Sequence, residues 1–211
     1  MQASAQNRIG STTDVSHAMQ RRFAEANSQY KPNRLKLLFI AEAPPAYRVN
    51  RFFYFTGLKD GDTLFLEMMK VLYPVEVGFY HGAFQSGFSV QQMRQQKMDL
   101  LRRFQHDGYY LIDACEEPMP DGAGTAIKVR RMRSALPLLL RNVHAIMKEP
   151  GIPIILIGSV TYSVCADDLR LDGRNVRNNE MINHPARGGQ TLFRSKLQTV
   201  LSSLHRTPQP G

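Results

Sequence analysis

Leu37-Leu38-Phe39-Ile40-Ala41-Glu42-Ala43-Pro44-Pro45 is followed closely by Arg51-Phe52-Phe53-Tyr54-Phe55-Thr56-Gly57. The first stretch is a run of bulky apolar residues that ends on a carboxylate and two prolines. Apolar side chains at successive rather than alternate positions mark a strand covered on both faces, the habit of parallel sheets. The run therefore predicts a strand over about Leu35 to Ala41 that delivers Glu42 to the carboxyl end of a sheet, where ligands of open α/β proteins bind. The loop from Ala43 to Asp60 is long and too aromatic for a solvated tether, and long loops in compact domains are usually functional or disordered.

Working outward, Tyr109-Tyr110-Leu111-Ile112-Asp113-Ala114 is a second strand ending near an acid, and Ile154-Ile155-Leu156-Ile157-Gly158-Ser159 is a third strand and turn. A short fourth strand ends at Met181-Ile182-Asn183, before His184-Pro185-Ala186-Arg187-Gly188-Gly189. Helical patterns fall between them: about His17 to Ser28, Gly61 to Tyr73, a strongly basic stretch from about Ser89 to His106, about Ala126 to Lys148 with Pro137 able to kink or divide it, a helix through Cys165 and Leu169, and about Thr191 to Leu204. Val75 to Phe88 reads as loop, with His81 a surface or packing residue. Strands alternating with helices predict a three-layer α/β/α domain with a four-stranded, mainly parallel central sheet and right-handed crossovers. In that topology Glu42, the acid of the second strand and His184 all reach one sheet edge. The domain spans about residues 31–205, behind a polar arm with a short helix at 1–30 and ahead of a tail at 206–211.

Composition sets the bounds. With 211 residues and 43% apolar content the chain can bury one full core. Lys and Arg outnumber Asp and Glu by 27 to 18, giving net +9 and a pI near 9.8, which suits a polyanionic partner as well as a plain solvated surface. Two cysteines, Cys115 and Cys165, sit far apart without metal-ligand spacing, so neither a disulfide framework nor a metal site is expected. No apolar run reaches the roughly 20 residues that cross a bilayer, and Met1 to Thr13 lacks the apolar core of a signal peptide. The expectation is a cytoplasmic monomer.

These motifs, in this order, resemble the uracil-DNA glycosylase superfamily, and most closely its thermophile-type branch. That branch carries Gly-Glu-Ala-Pro-Gly at the first strand end, a later Phe-x-Gly, an Asn-terminated strand and a His-Pro-Ser turn before the last helix. Here the counterparts are Ala41-Glu42-Ala43-Pro44-Pro45, Phe55-Thr56-Gly57, the strand ending in Asp113, and His184-Pro185-Ala186. The likeness covers about residues 35–204. It implies excision of a flipped base from DNA, with Glu42 and His184 catalytic, Phe55, Asp113 and Ala43 around the base, and Pro44, Pro45, Arg187, Gly188 and Gly189 on the phosphates. Arg48, Arg51, Arg130, Arg131 and Arg133 would extend the basic surface.

The residue types suit that chemistry. A carboxylate at 42 serves a water or a cationic sugar, a donor at 184 serves the oxygen that gains charge as the base leaves, and an aromatic face at 55 stacks on the base. The departures are equally specific. Ala41 and Pro45 replace glycines, and Pro45 removes an N–H. Ala186 replaces the serine. The paired iron–sulfur cysteines are missing, so no cofactor is expected. Asp113 replaces the base-reading Asn; an amide both donates and accepts, whereas an ionised carboxylate only accepts. Asp113 thus suits a base edge that offers donors, or is protonated in an apolar pocket. The alternative is a non-catalytic nucleic-acid-binding protein that keeps the fold. A small-molecule hydrolase or transferase stands third, without a Gly-x-Ser-x-Gly elbow, a phosphate loop or a zinc signature to support it.

Overall fold

The computed structural model describes residues 12–46, 51–120, 122–186 and 188–204, with side chains from residue 17 onward. Its centre is a four-stranded, all-parallel sheet of β1 (Leu37–Ala41), β4 (Tyr109–Asp113), β5 (Pro153–Leu156) and β6 (Asn175–Val176), in the order β4-β1-β5-β6. Every residue of β1 is buried, as the unbroken apolar run requires. The register matters most for function. Ala41 lies opposite Asp113, and Ile40 opposite Leu156. The strands therefore end level, and whatever follows them shares one rim.

Seven helices complete the described chain: α1 (Thr12–Gln29), α2 (Thr63–Leu72), α3 (Val90–Gln95), α4 (Lys97–His106), α5 (Thr125–Ile146), α6 (Ser159–Leu171) and α7 (Gln190–Leu204). α2 packs on α7 and α5 on α6, consistent with three layers. The first helix is longer than its sequence pattern suggested, and it docks on the body by burying Met19 and Phe23. α5 runs through Pro137 without dividing.

Three local expectations change. The stretch Ser89 to His106 forms two helices, not one, broken at Gln96 (φ −89°, ψ 7°). The break turns Lys97 inward, 1% exposed, with Nζ 3.6 Å from the Asp62 carboxylate and 4.3 Å from the Phe65 ring centroid. Arg94 joins it, donating Nε and a terminal nitrogen to the same carboxylate at 3.0 and 2.9 Å. Two cations of that basic stretch are thus committed to a buried carboxylate, Lys97 from inside and Arg94 from a partly exposed position. Next, Val75 to Phe88 is not all loop. β2 (Phe79–Tyr80) and β3 (Ala83–Phe84) form a hairpin whose turn, His81-Gly82, has positive φ at both positions (49° and 84°), the backbone of a two-residue hairpin turn. Finally, the fourth strand lies earlier than expected, at Asn175–Val176, and only an isolated bridge from Ile157 to Ile182 continues the ladder toward His184.

Side chains pair with the backbone where neighbouring strands stop. Asn178, fully buried, accepts from Leu156 N–H at 3.0 Å and donates to Leu156 C=O at 3.2 Å. On the opposite side of the sheet, the buried Tyr54 hydroxyl accepts from Leu111 N–H at 2.8 Å and donates to Leu111 C=O at 3.0 Å. Buried backbone groups require partners, and here a phenol and an amide each serve one residue of a strand. The Tyr54 clamp also pins the aromatic loop against β4. Phe52 and Phe53 are buried beside it.

Candidate active site

The level strand ends bring the predicted acid, base-reader and histidine to a single cavity of about 370 Å³, lined by Glu42, Asp113 and His184 together with Ala43, Pro44 and Pro45. Its wall is the aromatic loop and the start of α2, including Phe52, Phe53, Asp62 and Phe65. Glu42 is held at the rim from both sides. Its C=O accepts from Cys115 N–H at 3.1 Å, extending the β1–β4 ladder one residue beyond the strands. On the other side Gly158, at φ +108°, donates to Ile182 C=O at 2.7 Å, and a Cβ there would lie 3.8 Å from the Glu42 Cβ and 3.1 Å from the Thr161 hydroxyl. A side chain is strained at that φ, which is why the turn after β5 is glycine.

The Glu42 carboxylate has a partner that sequence reasoning missed. Lys128, in the first turns of α5, donates from Nζ to Oε1 at 2.7 Å. Both side chains keep partial exposure, 23% for Glu42 and 34% for Lys128. Nothing marks Lys128 in sequence, since it lies 86 positions from Glu42 in a run of basic residues. Desolvation by the protein around His184 lowers its pKa below the usual value; the nearby Glu42 carboxylate pulls it back up and Lys128 pushes it further down. The shift favours the neutral imidazole, which has one N–H to donate. Burial pushes the Asp113 carboxyl up to about 7.

Not every predicted residue arrives. Phe55 does not line the cavity: it packs on Phe23 and Phe52, ring centroids 5.6 and 5.4 Å away, beneath the Arg22 guanidinium at 5.1 Å. Its place as the aromatic wall is taken by Phe52 and Phe53, three and two residues earlier. The Gly189 amide is committed to Ala186 C=O at 3.1 Å, so it is not presented to a phosphate, and neither Gly188 nor Gly189 lines the cavity. Arg187 and Arg48 lie outside the described residues. Arg51 does line the cavity, its guanidinium 3.0 Å from Asp60, and Arg130, Arg131 and Arg133 are exposed on the same helix as Lys128. Among the described residues no group of three His, Cys, Asp or Glu side chains is arranged to hold a metal ion, and no helix is long and apolar enough to cross a membrane.

Searches of protein-family models and of curated protein sequences return no match to this chain.

Proposed function

We propose that this protein is a DNA glycosylase-like hydrolase that cleaves the N-glycosidic bond of a flipped uracil or another deaminated or modified base. The observation that carries the reading is the convergence of Glu42, Asp113 and His184 on one base-sized cavity at the carboxyl rim of a parallel sheet. A flipped base entering it meets the rings of Phe52 and Phe53, and base–aromatic contact is worth roughly 1–3 kcal/mol. As the glycosidic bond breaks, negative charge grows on the base and positive charge on the sugar. The uncharged His184 donates a hydrogen bond to the first, at no cost of moving a proton from a cation. Glu42 faces the second, or orients the water that attacks it. Lys128 holds that carboxylate in place.

One feature favours the alternative, a nucleic-acid-binding protein without catalysis: the Glu42 carboxylate is already ion-paired with Lys128, so one of its oxygens is taken rather than open to a water. Both readings use DNA as partner, so the discriminating experiment is chemical. Oligonucleotides carrying uracil, hypoxanthine or xanthine, single-stranded and paired, are incubated with the protein and scored for base release. The proposal expects release from at least one, abolished or cut by orders of magnitude in His184→Ala and Glu42→Ala. Release unaffected by both substitutions sinks the mechanism; salt-dependent binding with no release from any substrate supports the alternative.

A further inference from the structure

Asp113 stands apart from the other sheltered carboxylates. Glu42 is paired with Lys128, Asp62 with Arg94, Glu67 with Lys70 and Arg194, Asp107 with Arg103, and Asp172 with Arg174. Among the described residues, Asp113 is the one partly buried carboxylate whose side chain makes neither an ion pair nor a hydrogen bond. Sheltered acids without a partner are costly, and this one borders the candidate active site.

Its surroundings explain why it stays unpaired. The backbone is locked: Asp113 is opposite Ala41 in the ladder, and the next two amides donate to Ala41 and Glu42 C=O. From the cavity side it faces Leu111, Phe53 and Phe65, with Glu42, Asp62, Arg51 and His184 as the charged or titratable groups of that space. The two acids, Glu42 and Asp62, are already bound to cations, Arg51 is turned to Asp60, and desolvation disfavours the charged form of His184. Behind it, a second cavity of about 600 Å³ between α1 and α5 brings Arg21, Glu116 and Glu117 to its border. The Tyr54 hydroxyl is spent on Leu111, and the Cys115 thiol is held neutral by burial. Among the described residues no cation pairs with Asp113, and burial alone raises its pKa into the neutral range.

We infer that Asp113 reads the base through its protonation state: the acid form takes lactam-edged bases such as uracil and hypoxanthine, and the carboxylate form turns them away. This rests on the glycosylase reading above. A lactam edge presents an N–H beside a carbonyl. A carboxylic acid matches it with one acceptor and one O–H donor, as an Asn amide does. A carboxylate has only acceptors; it still receives the N–H but repels the neighbouring carbonyl oxygen. Excision of such bases therefore requires the proton on Asp113, and the preference for them is lost as pH rises through its titration.

The test compares the protein with Asp113→Asn, whose amide keeps a donor at every pH. Single-turnover release of uracil from a single-stranded oligonucleotide is measured for both between about pH 6 and about pH 8, and the rates are expressed as a ratio. Glu42, His184 and Lys128 are the same in the two proteins, so the ratio isolates what the change at position 113 does. With a midpoint near 7, the acid fraction drops about tenfold over that interval, and the ratio of wild type to Asp113→Asn drops about tenfold with it. A ratio that stays flat while both proteins release uracil overturns the inference and leaves the glycosylase reading standing. Absence of uracil release by both proteins, each shown folded by a cooperative thermal transition, overturns the inference; the glycosylase reading falls with it only if hypoxanthine and xanthine are not released either.

Discussion

Replacing Tyr54 by Phe removes a single oxygen atom, and the structure says what that oxygen supports. The hydroxyl is buried, accepts from Leu111 N–H at 2.8 Å and donates to Leu111 C=O at 3.0 Å, and Leu111 itself is 1% exposed. The ring has close aromatic neighbours on several sides, Phe53 at 4.9 Å and Tyr30 at 5.6 Å between centroids, so Phe fits the same space without repacking. The loss is thus almost purely that of partners for one buried donor and one buried acceptor. Each unsatisfied group costs about 1–3 kcal/mol, so Tyr54→Phe is expected to destabilise the domain by about 3 kcal/mol, well above the roughly 1 kcal/mol of an ordinary hydrogen bond. For a domain of this size that is a fall of roughly 6–12 °C in Tm. Urea unfolding measures it, with the m-value unchanged because the surface exposed is the same. Hydrogen exchange locates it: the Leu111 amide should lose protection more than its neighbours. A loss under about 1 kcal/mol, or unchanged protection at Leu111, would refute the clamp as the support of that strand.

Three further outcomes follow from the site. Lys128→Met should raise the His184 pKa and Glu42→Gln should lower it further, because the cation now pushes it down and the carboxylate pulls it up; NMR titration of the imidazole reads both, and shifts of the same sign would contradict the geometry. Asp113→Asn should stabilise the fold at about pH 8 by about 1–3 kcal/mol, with the gain vanishing near pH 4. The sign follows from a folded-state pKa raised to about 7 from 3.8: the folded protein binds the extra proton between those values, so wild-type stability falls as pH rises through them. Lys97 gives the opposite slope. Burial lowers its pKa to about 8 from 10.5, so the unfolded chain holds more protons in that window and wild-type stability should rise from about pH 8 upward relative to Lys97→Met, as denaturant midpoints will show.

The sheet was legible because its signal is concentrated. Leu37 to Ala41 and Ile154 to Leu156 are apolar at successive positions, and buried parallel strands are written that way. The rim followed from topology alone, since parallel strands of similar register must release Glu42 and Asp113 side by side. The rest depended on pairings across the chain. Lys97 reads as a surface residue in any periodicity count, and only the break at Gln96 and the Asp62 carboxylate across the fold turn it inward. Phe55 was singled out by the pattern Phe55-Thr56-Gly57, yet which of the four rings in Phe52-Phe53-Tyr54-Phe55 face a cavity is set by where the loop is pinned. That pin is Tyr54, and its partner Leu111 is 57 positions away. The short β6 was misplaced because Asn175–Val176 holds a single apolar residue among polar ones, whereas Met181-Ile182 offers the apolar pair that reads as a strand.

Tyr54 and Asn178 have one more consequence, which concerns other molecules. A parallel sheet displays free amides and carbonyls wherever pairing runs out, and these are templates on which a foreign extended segment can zip up. At Leu111 the phenol, and at Leu156 the amide, already occupy both positions such a segment would use. Each is a stopper of one side chain rather than a covering helix. Truncating either side chain therefore does more than weaken a contact: it opens a docking strip, and Tyr54→Ala and Asn178→Ala are the variants in which concentration-dependent aggregation should set in before the unfolding midpoint is reached.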